Sequence, residues 1–400
     1  MIASKIACIG NMNNNMFNIV RYLRLNGYDA TLFLLEDEKE HFHPSKDSFC
    51  DSYKNYTVEL PWGNAYKLNQ FSPDEIRSAI DGYDFFIGCG TAAAYLNKAG
   101  IDMDIFVPYG SDFYSAPFFK LVHPKRILKR IVFSSLQSKG ILRAKCILID
   151  SSNEIFEQPF KKLNYQGVRL NNGVPMIFFP EYSPEKISKY CGEMSSFKIM
   201  DELRSRKKLL IFHHSRHVWK SLSDPISVKR NDRLLRALSE LVHKHHLKDI
   251  HLITLEYGED VSSSKELIKE LAIEEHVTWL PKMSRKELMA GIMKSDIVAG
   301  EFNMSWFSYG VVYEAMVASK PILHYREDSL YKEQYPEMYP MLNAKEVDEI
   351  VDRLIESYKN RANMLKIGKS ANQWFRQYVV DEPIRVISKL IDTKVQETRQ

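Results

Sequence analysis

The stretch Lys5-Ile-Ala-Cys-Ile-Gly10 begins the pattern that decides the fold. Lys5 to Ile9 is a short apolar run that predicts a buried strand, which ends at Gly10 and the asparagines after it. The next apolar residues recur at the spacing of one helical face: Met16, Ile19, Val20 and Leu23. Gly27 is a helix stop, and the run from Asp29 to Leu35 predicts the next strand. A strand, a helix and a second strand in this order predict a parallel sheet and an α/β fold.

The same alternation continues and divides the chain into two series. Further apolar runs in the first half predict strands at 85–87, 105–107 and 146–149. Runs in the second half predict strands at 209–212, 250–255, 276–280, 296–299 and 321–325. The region 181–206 between them is highly charged and lacks a strand pattern, which indicates a linker. We therefore predict an N-terminal domain over 1–185, a linker over 186–206, a C-terminal domain over 207–375, and a helix over 376–400 that packs back on the first domain.

Two serines in the second half have the spacing of a capping box, in which a serine and a glutamate three residues later each accept a backbone amide. They are Ser263 with Glu266 and Ser284 with Glu287. Each pair predicts the start of a helix between two strands of the second series.

The composition is that of an ordinary globular chain of 400 residues. The 55 Lys and Arg residues against 51 Asp and Glu residues leave a formal charge of +4, which disfavours a nucleic-acid binder with a broadly basic surface. No apolar run reaches the roughly 18 residues of a membrane span, and the first residues do not have the pattern of a signal peptide. The five cysteines are widely spaced and form no C-x-x-C pair, which fits reduced thiols. We expect a cytoplasmic protein, with a peripheral position at the inner face of the membrane left open.

The most informative segment is 305–323, where a glycine-bearing loop leads into a short helix. The backbone amides of Gly310, Val311 and Val312 are candidates to hold a diphosphate at the positive end of that helix. Glu314, one turn further, is a candidate to accept hydrogen bonds from the vicinal hydroxyls of a ribose. The alternative is a loop–helix packing element whose glutamate is solvated.

A basic segment follows the predicted strand at 209–212. Arg216 lies directly after that strand, and Lys229 precedes a helix with an apolar face. An arginine fork together with a lysine point charge suits two adjacent phosphoryl groups, although a solvated basic loop is the alternative. The candidate contact with the nucleotide base is the backbone that follows another predicted strand: Leu280, Pro281 and Lys282.

Two segments of the N-terminal domain carry polar residues after predicted strands. Amide side chains that suit sugar hydroxyls or phosphate oxygens follow the first strand: Asn11, Asn13, Asn14 and Asn15. Asp112 ends the sequence Tyr109-Gly-Ser-Asp and is a candidate to hold or deprotonate an acceptor hydroxyl. The alternatives are a polar turn with helix capping for the asparagines and a turn cap for Asp112.

Together these segments resemble the GT-B glycosyltransferases, in particular the retaining glycosyltransferase family 4, or glycosyl transferases group 1. That family has an Arg after a strand and then a Lys-Gly-x-Asp segment, and Arg216 and Lys229-Arg-Asn-Asp232 take those places. Its Glu-x7-Glu loop ends in Glu-Ala-Met-Ala-x-Gly-x-Pro, to which Glu314-Ala-Met-Val-Ala-Ser-Lys-Pro321 is similar. Trp306 replaces the first glutamate of that loop, and Glu301 is the nearest upstream carboxylate.

The resemblance implies two Rossmann-like parallel-sheet domains that face a cleft, with a nucleotide-sugar donor held mainly by the C-terminal one. It implies transfer of the sugar to a glycan or lipid-linked acceptor with retention at the anomeric carbon, without a cofactor and without an essential metal. Arg216 and Lys229 would be the catalytic cations, Asp112 would serve the acceptor, and Glu301 would contact the donor sugar. The expected context is surface polysaccharide synthesis. The alternatives are a nucleotide-sugar epimerase or hydrolase of the same fold and a non-catalytic nucleotide-sugar-binding partner.

The sequence gives little support to a metal site, a serine-hydrolase site or a P-loop. Histidines cluster at 213–217 and 243–246, but no carboxylate or cysteine partner stands at a metal-ligand spacing, so we predict no metal site. Neither a Gly-x-Ser-x-Gly elbow nor a Walker lysine is present, which disfavours the hydrolase and P-loop classes that use them.

The region 113–149 has no acidic residue and eight basic ones. Four apolar residues share one predicted helical face: Ile127, Leu128, Ile131 and Val132. Four basic residues share the opposite face: Lys125, Arg126, Lys129 and Arg130. This pattern fits a helix that lies on an anionic membrane surface. The alternative is a helix that packs on its own domain with a solvated basic face.

Overall fold

A computed structural model describes residues 4–36, 38, 40–119, 127–149, 154–171, 173–191, 195–220 and 226–399. The chain divides into two compact units. The first unit comprises Met1–Phe178 and Gln377–Gln400, and the second comprises Phe179–Arg376. Each unit has one parallel sheet with connecting helices, so the predicted α/β class with two Rossmann-like domains is confirmed.

The first unit is built on a seven-stranded sheet. Its strands are β1 Lys5–Ile9, β2 Asp29–Leu34, β3 Thr57–Glu59, β4 Phe85–Gly88, β5 Ile105–Phe106, β6 Cys146–Leu148 and β7 Val168–Leu170. They lie in the order β3-β2-β1-β4-β5-β6-β7, and every neighbouring pair is parallel. The order reverses between β1 and β4, which is the point in an open parallel sheet where ligands bind.

Helices connect these strands, and the last helix of the chain returns to the same unit. They are α1 Asn15–Leu25, α2 Pro73–Ala79, α3 Ala92–Lys98, α4 Ser111–Tyr114, α5 Ile127–Leu142, α6 Glu154–Leu163 and, at the end of the chain, α15 Glu382–Arg399. Two polar contacts attach α15 to the first unit. The Tyr28 hydroxyl donates to Asp392 at 3.1 Å, and Lys394 pairs with buried Asp104 at 2.7 Å.

The second unit is built on a six-stranded sheet. Its strands are β8 Leu209–His213, β9 Ile250–Leu255, β10 Val277–Leu280, β11 Ile297–Ala299, β12 Ile322–His324 and β13 Leu342–Asn343. They lie in the order β10-β9-β8-β11-β12-β13, and all neighbours are parallel. Its helices are α7 Pro184–Cys191, α8 Ser195–Arg206, α9 Asn231–His243, α10 Val261–Glu270, α11 Arg285–Lys294, α12 Gly310–Val317, α13 Val347–Lys359 and α14 Arg361–Phe375.

Complete burial of the central strands explains why they were predictable. β8 and β9 are buried at every position, as expected of parallel strands with helices over both faces. Leu209 pairs with Ile250 and Ile211 with Leu252, so these apolar runs lie in register at the centre of the second sheet. Helix α9 covers this sheet with its leucines, including Leu238, and joins the same hydrophobic core.

The domain boundaries differ from the predicted ones. The units divide after Phe178, and the region 186–206 that was predicted as a linker contributes α7 and α8 to the second unit. Its high charge is that of amphipathic helices, of which one face is solvated. Phe197 and Met200 on α8 are buried, so the segment packs rather than links.

The two predicted capping boxes have different outcomes. Ser284 caps α11, and its partner Glu287 accepts the Ser284 amide at 2.6 Å, as predicted. The prediction at Ser263 is wrong, because α10 begins at Val261 and Asp260 is its N-cap. Ser263 therefore lies inside the helix, where the same spacing has no capping role.

Helix α5 buries a different face from the apolar one of its first turns. The buried face is formed by Phe133, Ser134, Gln137, Gly140 and Ile141. Gly140 is required there, since a Cβ at this position would collide with the carbonyl of Ala93 on α3. The apolar residues of the first turns, such as Leu128, are exposed instead. Lys125 and Arg126 lie outside the described residues.

No helix in the described part of the chain combines the length and the hydropathy needed to cross a bilayer.

Candidate functional site

The strand order of the second unit reverses between β8 and β11, which are parallel neighbours. The loop after β8 carries Arg216, and the loop after β11 carries Glu301. Because the carboxyl ends of parallel strands meet at one edge of the sheet, the two loops lie together at the place where such sheets bind ligands.

Glu301 forms a buried ion pair with Lys229. The backbone reinforces this pair, because the Phe302 amide donates to the Lys229 carbonyl at 2.9 Å. Burial raises the pKa of Glu301, whereas the charges of Lys229 and Arg216 act to lower it. The structure thus brings Arg216, Lys229 and Glu301 together. Arg216 is exposed, whereas Glu301 is only 1% exposed and holds the lysine.

Trp306, which stands where the resembling family has its first glutamate, lies beside the Glu301 carboxylate and favours its charged form. It is half-buried. The predicted contact of Glu301 with a donor sugar stays a prediction, because the pairing with Lys229 is what the structure gives this carboxylate.

Glu314 on α12 is held by two side chains that the sequence did not single out for it. Nε2 of His214, the first residue after β8, donates to Oε2 of Glu314 at 2.6 Å. Nε of Arg285, the first residue of α11, lies 2.9 Å from Oε1. Burial alone would raise the pKa of Glu314, but Arg285 and His214 outweigh it and lower the pKa to about 2. Glu314 is therefore a fixed, ionised hydrogen-bond acceptor.

The N-terminus of α12 is open. A Cβ placed on Gly310 would meet only the Oε1 of Glu314, at 4.0 Å. Tyr309 is the N-cap but provides no side-chain cap, so the first amides at Gly310 and Val311 point out of the helix end. Val312 is already bonded, its amide donating to the Tyr309 carbonyl at 3.0 Å.

Tyr309 also fixes the loop that carries Glu301. Its hydroxyl accepts the Glu301 amide at 3.0 Å. The hydroxyl lies so close to Gly300 that a Cβ at this position would collide with it, which explains the glycine. The N-terminus of α12 and the carboxylate of Glu301 are thereby positioned by one tyrosine.

The Arg216 loop rests on a buried polar network. His217 is bonded through Nδ1 to Ser264 and through Nε2 to Thr254, both at 2.9 Å. Its backbone accepts the Asp260 amide at 2.9 Å and donates to the Tyr257 carbonyl at 2.8 Å. Burial lowers the pKa of His217 to about 4, so the ring is neutral at neutral pH. These contacts hold the backbone next to Arg216.

His213 joins the same network and does not act as a free ligand. Its Nδ1 lies 3.0 Å from Thr254 and its Nε2 lies 2.9 Å from Asn231, and burial lowers its pKa well below the usual value. Asn231 also accepts the Val218 amide at 2.9 Å, which joins the start of α9 to the Arg216 loop. Among the described residues, no three His, Cys, Asp or Glu side chains are grouped to hold a metal ion.

The segment predicted to contact the base follows β10. The Leu280 carbonyl accepts the Glu256 amide at 2.9 Å, so it belongs to the backbone network between β9 and β10. Pro281 is exposed, and the Lys282 ammonium lies 4.8 Å from the centre of the Tyr257 ring. Contact of Leu280, Pro281 and Lys282 with a base stays a prediction.

The asparagines after β1 mainly stabilise their own loop. Asn11 is fully buried, accepts the Phe17 amide at 2.9 Å and donates to Asn14 at 3.1 Å. Asn13 and Asn14 adopt left-handed backbone angles, with φ of 56° and 60°, which asparagine tolerates. Asn15 is buried on α1, and Asn13 is the one of the four with partial exposure. The alternative role given above for the asparagines, a polar turn that stabilises its own backbone, therefore accounts for Asn11 and Asn14.

Asp112 is a backbone anchor. Its carboxylate accepts the amides of Gly90 at 2.9 Å, Gly110 at 3.0 Å and Tyr109 at 3.1 Å, and it is 2% exposed. Burial raises its pKa to about 7, although these amides favour the ionised form. The predicted role toward an acceptor hydroxyl stays a prediction, because what the structure gives this carboxylate is its contacts with the loops after β4 and β5.

Most of the second unit matches a known protein family. Residues 222–374 match the family described as Glycosyl transferases group 1. This match lies within the second unit and includes Lys229, Glu301 and Glu314. A search of curated protein sequences gives no significant match.

Solved structures share the fold over the whole chain. HepE from Anabaena, in complex with UDP, has a TM-score of 0.61 and 16% identity, and the match covers 97% of this chain and 100% of that chain. A glycosyltransferase from Rickettsia africae has a TM-score of 0.60 and 13% identity, with 99% of each chain covered. UDP-GlcNAc 2-epimerase from Neisseria meningitidis, bound to UDP-GlcNAc, has a TM-score of 0.55 and 10% identity, with coverage of 98% and 100%. The architecture is GT-B.

Sequence reasoning missed His214, Arg285 and the contacts of His217. The pairing of His214 with Glu314 spans 100 residues, so no local spacing signals it. Arg285 follows the capping serine of α11, where a basic residue is usually solvated. The one available signal was the position of His214 directly after a buried strand, at the edge where ligands bind.

Proposed function

We propose that this chain is a glycosyltransferase whose second unit binds a nucleoside-diphosphate sugar. The observation that carries the proposal is the gathering of Arg216, Lys229 and Glu301 at the carboxyl ends of β8 and β11. Glu314 is held at the same edge by His214, the first residue after β8. Residues 222–374 of this unit match a glycosyltransferase family. HepE, which shares the fold, was solved with UDP and with UDP-glucose. This likeness supports a nucleotide-sugar ligand.

In the proposed reaction, the bond between the anomeric carbon and the diphosphate oxygen breaks and the acceptor oxygen bonds to that carbon. The diphosphate leaves with the bond's electron pair, and the acceptor hydroxyl transfers its proton to an oxygen of the departing diphosphate. Arg216 and Lys229 stabilise the negative charge that grows on the leaving group. Glu301 keeps the Lys229 ammonium at this position, and Glu314 binds the ribose. We propose retention at the anomeric carbon and no essential metal, as the family resemblance implies.

Release of nucleoside diphosphate tests this function. A transferase releases it from a nucleotide sugar when an acceptor is present and produces a longer glycan or glycolipid. Conversion of the sugar itself without an acceptor would instead support an epimerase, a class that shares this fold. Release into water without an acceptor would support a hydrolase, and binding without turnover would support a non-catalytic partner.

The acceptor side is proposed to work at a membrane surface. The first turns of α5 expose apolar side chains that lack cover within the first unit: Leu128 at 78%, Ile131 at 45% and Val132 at 38%. Lys129 is exposed beside them. Apolar side chains with basic neighbours suit the boundary between acyl chains and anionic headgroups. We therefore propose a cytoplasmic protein that contacts the inner face of the membrane, where acceptors for surface polysaccharides are carried on lipid.

Co-sedimentation with vesicles of phosphatidylcholine and phosphatidylglycerol tests the membrane contact. Binding should be present at low salt and weakened by high salt, because screening reduces surface attraction. The double variant Leu128→Ser/Ile131→Ser should lose binding with unchanged unfolding. Leu365→Ser, which changes an exposed leucine in the second unit, should keep it. Wild-type protein that ignores these vesicles at low salt would exclude this surface and favour a soluble acceptor.

A further inference from the structure

The buried ion pair between Glu301 and Lys229 places a negative charge against one of the two cations proposed to bind the diphosphate. We propose that Glu301 takes up a proton from solvent when a donor binds, so that Lys229 can pair with the diphosphate and donor affinity falls as the pH rises. The inference rests on the proposed function, because it concerns how the same site binds the same donor.

The charges of the site and of the ligand do not match while Glu301 is ionised. Lys229 and Arg216 each carry one positive charge, and the Glu301 carboxylate cancels one of them. In a nucleotide sugar each phosphate of the diphosphate carries one negative charge, as a phosphodiester of a nucleic acid does. Protonation of Glu301 leaves two cations opposite two anionic phosphates, which balances the charges.

The burial of Glu301 makes its charge depend on its neighbours rather than on water. Glu301 is 1% exposed, and burial raises the pKa of its carboxyl group, whereas Lys229 and Arg216 act to lower it. The Lys229 side chain is 17% exposed and Arg216 is exposed, so a ligand can reach both cations from solvent. A bound diphosphate draws these cations toward itself and adds negative charge beside the carboxylate. Both effects raise the pKa of Glu301 and favour uptake of a proton.

Further groups packed around Glu301 keep their protonation state near neutral pH. In the loop that follows, the Tyr309 hydroxyl accepts the Glu301 amide, and burial raises its pKa well above the usual value. At the end of β12, the His324 ring lies 5.7 Å from the Tyr309 ring and is neutral, because burial lowers its pKa to about 3. On α9, Arg233 donates to the Phe302 carbonyl at 2.7 Å and keeps its charge. Of these groups, Glu301 is the one placed to change its charge when a donor binds.

Calorimetric titration with UDP-glucose tests the inference, with GDP-mannose and ADP-glucose as probes if UDP-glucose does not bind. These diphosphate diesters do not take up protons near neutral pH, so a proton taken up on binding belongs to the protein. Titrations in two buffers of different ionisation enthalpy count the protons per bound ligand. We expect about 0.3 to 1 proton at the pH of steepest dependence. The Kd should rise with pH by up to about tenfold per pH unit between about pH 5 and about pH 9.

Glu301→Gln removes the proton-binding group and keeps the shape of the side chain. Its Kd should change less than about twofold over the same pH range. At high pH this variant should bind the donor more tightly than the wild type, because Lys229 no longer pairs with a negative charge. The proton count of the wild type tests the inference even if this variant fails to fold.

Asp296→Asn is the matched control. Asp296 lies directly before β11, whereas Glu301 lies two residues after it, and the buried Asp296 carboxylate pairs with Arg204 on α8 at the opposite edge of the sheet. The control should keep the proton count and the pH dependence of the wild type.

A wild-type count below about 0.1 proton at every pH would overturn the inference while leaving the proposed function intact. An unchanged pH dependence in Glu301→Gln would do the same, because it would assign the proton to another group, such as His214, which bonds to Glu314 at the same edge. Failure of the wild type to bind any nucleotide sugar would overturn both.

Discussion

Acidification should destabilise the second unit through its buried histidines, and His217 is the clearest case. It is 1% exposed, and burial lowers its pKa from 6.5 to about 4. Between these two values the unfolded chain binds a proton that the folded chain excludes, so stability present above pH 6.5 is lost as the pH falls toward 4. From about pH 7 to about pH 5, this histidine should lower the free energy of unfolding by about 2 kcal/mol.

Urea unfolding followed by tryptophan fluorescence measures this loss. Apart from Trp62, the tryptophans belong to the second unit: Trp219, Trp279, Trp306 and Trp374. His217→Gln cannot take up the proton, so its pH dependence should be smaller than that of the wild type by about 2 kcal/mol, although the variant is less stable at neutral pH. His243→Gln changes an exposed histidine at the end of α9 and should keep the wild-type dependence. Equal pH dependence of wild type and His217→Gln would refute the argument.

Three further results are expected. Arg216→Ala should lower kcat/KM at least about tenfold with an unchanged unfolding midpoint, and Lys220→Ala in the same loop should keep a value near that of the wild type. A normal rate in Arg216→Ala would show that this arginine takes no part in the reaction. Asp112→Asn should lower the free energy of unfolding by about 1–3 kcal/mol and speed hydrogen exchange at Gly90 and Gly110, because the amide keeps one acceptor oxygen where the carboxylate has two. Unchanged exchange at these two amides would contradict the anchor role of Asp112. Removal of divalent cations with EDTA should leave transferase activity intact, and loss restored by Mg²⁺ would contradict metal independence.

The sequence predicted the central strands of both sheets and the edge strand β10, and it missed the other three edge strands. Strands such as Ile250–Leu255 are covered on both faces, and the resulting apolar runs are visible in the sequence. Thr57–Glu59 and Val168–Leu170 are short edge strands with exposed residues, so they leave no such run. Leu342–Asn343 has two residues, too few for any periodic pattern.

In the candidate site, several single residues were predicted, but the side chains that contact them were not. Arg216, Lys229 and Glu314 were predicted because each follows a strand or opens a helix in a segment with a recognisable pattern. Their partners depend on how strands are ordered in space, which a single sequence does not reveal. The buried face of α5 was also not visible in the sequence, which favoured a membrane-facing helix and left packing on its own domain as the alternative. Its apolar first turns have the pattern of a buried face, but Gly140 lets the opposite face approach α3 closely, and the first turns remain exposed.

The central claim is that the second unit binds the nucleoside-diphosphate part of a donor through Arg216 and Glu314. A thermal-shift screen with nucleoside diphosphates and their sugars tests it most directly, because a ligand at about 100 times its Kd stabilises the native state by about 2.7 kcal/mol. At least one nucleotide should raise the Tm of the wild type and of Arg204→Gln, and it should leave the Tm of Arg216→Ala/Glu314→Gln unchanged. A wild type that responds to none of them, or a double variant that responds as strongly as the wild type, would contradict the claim.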